Sequence, residues 1–105
     1  MALDFTILDG TGAPEQSVPI GVQAHHELLV AARDADLPLL LRVSDYYADA
    51  DVRYEIAEVP QLAAELQKLE SNQNCSDLVR QSARAIRQMC SHAAARGKPI
   101  DVIAD

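Results

Sequence analysis

A chain of 105 residues that is 49% hydrophobic and 24% charged has the size and composition of one globular domain, and it lacks the low hydrophobicity that keeps chains disordered. Sixteen acids against nine bases give a net charge of −7, which argues against non-specific nucleic-acid binding. The start Met1-Ala2-Leu3-Asp4-Phe5 has no basic leader, and no apolar run approaches the roughly 20 residues that cross a bilayer, so a cytoplasmic, single-domain protein spanning 1–105 is expected.

Leu3-Asp4-Phe5-Thr6-Ile7-Leu8-Asp9 alternates apolar and polar residues before Gly10-Thr11-Gly12-Ala13-Pro14, which predicts a half-buried strand ending in a turn. From Gly21 to about Ala35, Val22, Leu28, Leu29 and Ala32 recur near helical spacing and predict a first helix. Leu37 to Tyr47 suits two readings: Pro38 fits a first helical turn, whereas Leu39-Leu40-Leu41 equally fits a buried strand. Helix is favoured. Ala48-Asp49-Ala50-Asp51 reads as a loop, and Val52-Arg53-Tyr54-Glu55-Ile56 as a short strand or an extended connection.

Pro60 marks a helix start, Leu62, Ala63, Leu66 and Leu69 form its stripe, and Ser71-Asn72-Gln73-Asn74 ends it. In the last helix, Asn74 or Ser76 can cap the start. Val79, Ala83, Ile86, Cys90 and Ala93 follow one face, and Gly97 and Pro99 stop it. Ile100-Asp101-Val102-Ile103 reads as a terminal strand. The expected fold is α+β and mainly helical, with three or four helices packed on a small sheet that pairs the N- and C-terminal strands.

Catalytic and metal-binding patterns are scarce. Adjacent His25 and His26 point about 100° apart on a helix, and His26-Glu27-Leu28-Leu29-Val30 lacks the second histidine of a zinc motif. Cys75 and Cys90 lack C-x-x-C spacing and read as reduced thiols. Gly10-Thr11-Gly12 has neither of the phosphate-binding glycine patterns and reads as a plain turn. Neither catalytic residues, nor a metal, nor a cofactor is expected. Arg80, Arg84 and Arg87 fall at i, i+4 and i+7 beside the apolar stripe of the last helix. They can clamp an anion, but more often such arginines cover apolar surface and pair with acids, here with Asp34, Asp36 and Glu27 as candidates.

The most informative segment is Ser44 to Glu58, which holds all three tyrosines together with Asp45, Asp49, Asp51, Glu55 and Glu58. Tyrosine offers a large, rigid contact area, and clustered carboxylates steer a basic partner. Asp45, Tyr46, Tyr47, Asp49, Asp51, Tyr54 and Glu55 are therefore the candidate partner-binding residues. The competing reading has one or two of the tyrosine rings anchoring the loop on the core while the acids merely solvate it. The stretch Ser44-Asp45-Tyr46-Tyr47 amid acids resembles the recognition surface of immunity proteins that neutralise bacterial nuclease toxins, where paired tyrosines and carboxylates meet a basic nuclease. The resemblance covers about fifteen residues and concerns strategy, since those proteins are helical bundles and this chain is expected to carry strands at both ends.

The function expected from these features is that of a small acidic binding protein, of bacterial immunity or antitoxin type, which masks a basic protein without chemistry of its own. One alternative is an adaptor or regulatory subunit that binds through the apolar part of Leu37 to Val43 or through the arginine ridge. Another is an enzyme whose site forms only on folding, around His25, Asp45 and Tyr46. Neither nucleic acid nor membrane is an expected partner, and a homodimer stays open because helix stripes can leave apolar surface uncovered.

Overall fold

A computed structural model describes residues 2–43 and 52–104. Strand β1 (Ala2–Leu8) turns back into β2 (Pro14–Gly21), and helix α1 (Val22–Asp34) follows directly. A single 3₁₀ turn at Leu40–Arg42 comes next. Beyond 44–51 lie β3 (Val52–Tyr54), a second 3₁₀ turn (Ile56–Glu58), α2 (Val59–Glu70), α3 (Asp77–Arg96) and β4 (Ile100–Ala104). The sheet is antiparallel with strand order β2-β1-β4-β3, so the first and last strands lie side by side, with Phe5 opposite Val102. The protein is α+β and mainly helical, with the helices packed on this sheet.

Alternation decides which face of the sheet is covered. Leu3, Phe5 and Ile7 of β1 and Ile100 and Val102 of β4 are buried in the same core as Leu62, Leu66 and Leu69 of α2 and Val79, Ala83, Ile86, Met89, Cys90 and Ala93 of α3. On α1 the buried set is Ala24, His25, Leu28, Leu29 and Ala32, which is the stripe that the sequence spacing predicts, with His25 added.

The ends of the elements follow local chemistry. Ser76 caps α3 by accepting a hydrogen bond from the Val79 amide at 3.2 Å, and Gly97 closes it in the left-handed conformation at φ 61°. Pro60 lies in the first turn of α2, where no intrahelical amide is needed. In the Gly10–Ala13 turn, Asp9 Oδ1 accepts from the Thr11 amide at 2.8 Å, the Thr11 hydroxyl at 2.6 Å and the Ala13 amide at 3.1 Å. That bonding pulls the Asp9 carboxyl below its ordinary range, with the Thr11 hydroxyl the main cause.

Two expectations are corrected. Pro14–Gly21 forms a full strand that periodicity did not reveal, because Pro14, Pro19 and the polar residues between them weaken the strand pattern. An edge strand tolerates those prolines because its outward amides need no partner. Between Leu37 and Tyr47 the favoured helix is replaced, within the described residues, by the one 3₁₀ turn. Tertiary partners capture the backbone groups that would have propagated a helix, and Val43 is already extended at ψ 104°.

Candidate protein-docking site

The segment proposed for docking has a described stem on each side, and the two stems meet at one polar junction. On the entering side, Leu37, Leu39, Leu40 and Val43 are buried, so the chain is fixed to the core up to the last residue before 44–51. Glu65 of α2 holds this stretch. Its Oε2 accepts from the Leu39 amide at 3.1 Å and its Oε1 from the Leu40 amide at 3.0 Å, which satisfies the donors that the start of the 3₁₀ turn leaves open. On the leaving side, the Tyr54 hydroxyl donates to the Leu39 carbonyl at 2.7 Å. Burial pushes the Tyr54 phenol well above its ordinary titration range, which keeps it a neutral donor.

A more exposed layer covers this junction. Arg42 stands over the Tyr54 ring, 5.9 Å from its centroid, and pairs with Glu58. Glu58 divides its carboxylate, one oxygen going to Arg42 and the other accepting from the Glu55 amide at 3.0 Å. The hydrogen bond from Arg42 is the main cause that holds the Glu58 carboxyl below its usual range, and the same pair raises the Arg42 guanidinium. Ile56 is 52% exposed and Leu41 36% exposed, which leaves apolar surface beside these charges.

Of the candidate partner-binding residues, Asp45, Tyr46, Tyr47, Asp49 and Asp51 lie outside the described residues. Glu55 is exposed at the start of the second 3₁₀ turn. Tyr54 is fully buried, so it takes the anchoring part of the two readings of the tyrosine segment, and its ring is not surface available to a partner. The sequence reading passed over Glu65, although a signal was present. Glu65 sits between Leu62 and Leu69 on the buried stripe of α2, and a charge at such a position requires a dedicated partner.

The arginine ridge is structural. Arg84 pairs with Glu70 at 3.0 Å, Arg87 pairs with both oxygens of the same carboxylate, and Arg80 donates to the Glu70 carbonyl at 3.2 Å. The acid that organises the ridge is thus Glu70, at the end of α2, rather than Asp34, Asp36 or Glu27. Arg53 pairs with Asp101 across β3 and β4 at 2.8 Å, while Arg96 and Lys98 converge on Glu15 at 2.7 and 3.4 Å. Arg42, Arg53, Arg84, Arg87, Arg96 and Lys98 are therefore all engaged with carboxylates of the chain itself.

Elsewhere, chemistry is sparse. Among the described residues, no three His, Cys, Asp or Glu side chains are grouped to hold a metal ion. Burial pushes the Cys90 thiol up to about 12, which makes it a core residue and a poor nucleophile. His25 is buried on α1, with 3% exposure. A cleft of about 430 Å³ between α1 and the start of α3 is bordered by Glu27, Val30, Asp34, Asn74 and Cys75. No helix of the described chain is long and apolar enough to cross a membrane. No protein-family model, no curated protein and no solved structure matches this chain.

Proposed function

We propose that this protein is a small acidic binding protein of immunity or antitoxin type, which docks a basic protein through the segment around Asp45, Tyr46, Tyr47, Asp49, Asp51 and Glu55 and masks it in the cytoplasm. The observation that carries this reading is the internal use of positive charge. Six of the chain's nine bases are occupied by its own carboxylates, so the −7 surplus is presented as acid. That surplus is concentrated in residues 1–60, which hold eleven acids and three bases, whereas residues 61–105 hold five acids and six bases. Such a distribution attracts a basic surface and speeds encounter, while desolvated tyrosines supply the contact that slows release.

Two features favour this reading over an adaptor. Leu37, Leu39, Leu40 and Val43 are buried, so the apolar stretch invoked for the adaptor is spent on the core. The arginine ridge is spent on Glu70.

The test is affinity capture from the native host on the wild-type protein and on a folded Tyr46→Ala/Tyr47→Ala/Asp49→Ala variant, followed by measurement of the association rate against salt. The expected outcome is one basic protein retained by the wild type alone, with association that slows steeply as ionic strength rises. Equal retention by both proteins, or association indifferent to salt, overturns the reading.

A further inference from the structure

A buried carboxylate on the apolar stripe of α2 calls for explanation. Glu65 is 4% exposed and meets no cation within ion-pairing distance among the described residues, and its two oxygens each take one backbone amide from a stretch 25 and 26 positions earlier in the chain. An apolar side chain of similar volume at that position would avoid the desolvation of a charge. What Glu65 adds is direction: it can be satisfied only when the Leu39 and Leu40 amides both point at it. Tyr54 acts on the same peptide group from the other side, since its hydroxyl donates to the Leu39 carbonyl. Leu39 is thereby held through its amide and its carbonyl, by two residues that follow it in sequence and come from different elements.

The hydrogen bond from Tyr54 to Leu39 also ties together the two stems that flank 44–51, closing a span of |i−j| 15. Closing such a span before any partner arrives removes part of the ordering entropy that association would otherwise have to overcome. We infer that Glu65 and Tyr54 are positioning residues, forming a lock that fixes how the chain enters and leaves the acidic tyrosine segment and so presets that segment for a basic protein. The docking part of this inference rests on the function proposed above. The lock itself does not.

The experiment compares wild type with Glu65→Gln and Tyr54→Phe, which keep the volume of each side chain. Glutamine offers one acceptor oxygen where the carboxylate offered two, and phenylalanine retains the ring but not the hydroxyl. Amide hydrogen exchange is followed on the free protein, and release kinetics are followed on the complex with the basic protein retained in the capture experiment. The expected result is exchange about tenfold faster or more across residues 37–54 with β1 and α3 unchanged, together with release accelerated by a similar factor. A purely structural role would instead speed exchange across the whole core and leave release from the folded variants unchanged. Exchange that rises everywhere or nowhere overturns the lock. A local rise with unaltered release overturns its link to docking. If the wild type retains no basic protein, the proposed function fails, and the exchange data still decide the lock.

Discussion

The α2–α3 pair and the junction around Leu39 are built on opposite terms. The helix pair buries Leu62, Leu66 and Leu69 against Val79, Ala83, Ile86, Met89 and Ala93, and it keeps its ion pairs at the rim, on Glu70. The junction depends on hydrogen bonds made in the interior, two to Glu65 and one from Tyr54. Apolar packing tolerates small changes of geometry because dispersion and burial have no strong direction, whereas a buried hydrogen bond is lost when its partner turns away. The helix pair is therefore suited to hold the fold, and the junction to hold one conformation of one segment.

Truncating the helix pair should cost most. Ile86→Ala leaves a cavity in a fully buried site and should lower the unfolding free energy by about 2–5 kcal/mol, read by denaturant titration as a single transition at reduced midpoint. Ser76→Ala removes the α3 cap and the hydrogen bond from Ser76 to Glu27 at 2.9 Å, and should cost about 1 kcal/mol in the same measurement. Asp36→Gly should act in the other direction. Asp36 occupies the left-handed region at φ 55° just past the end of α1, and glycine there relieves strain at the cost of a more flexible unfolded chain, for a net gain of roughly 0.5 kcal/mol.

The smallest effect belongs to the rim of the helix pair and appears as a pH dependence. The hydrogen bond from Arg87, helped by that from Arg84, holds the Glu70 carboxyl below its ordinary value in the folded protein. A lowered folded-state value means that the carboxylate contributes stability above its unfolded titration range and loses it as pH falls through the folded one. Glu70→Gln should therefore be slightly destabilising at pH 7, and the gap in Tm should close on acidification below the carboxylate range and shrink with added salt.

The legible parts of this fold are those in which local pattern and tertiary role agree. The stripe of α3, its Ser76 cap and its Gly97 stop could be read from spacing alone, as could the alternation of β1 and β4 and the pairing of the two ends. Strand β2 was not legible because Pro14 and Pro19 are permitted there only by an edge position, which is a property of the sheet and not of the segment. The stretch from Leu37 to Val43 misled for a related reason: its apolar residues are buried as a helix would bury them, but its amides answer to Glu65. The arginine ridge was legible as structural, and its partner was not, because sequence spacing says nothing about which acid a neighbouring helix brings to it. At the candidate site the cluster of tyrosines and acids was visible in sequence, but that Tyr54 is spent on the core depends on a carbonyl fifteen residues earlier.

The side-by-side placement of β1 and β4 has a consequence for how the chain folds. Leu3 faces Ala104, so the central pairing of the sheet joins residues about as far apart in sequence as this chain allows. Contacts of that separation carry the largest closure entropy and form late, whereas the β1–β2 turn and the α2–α3 pair need only near neighbours. On the ribosome, β1 must wait unpaired on one side until β4 has been synthesised, and the core closes only as its last strand arrives. A circular permutant that joins the two ends with a short linker and opens the chain between α2 and α3 would make the β1–β4 contact local, and should shift the slow step of folding from sheet closure to helix docking.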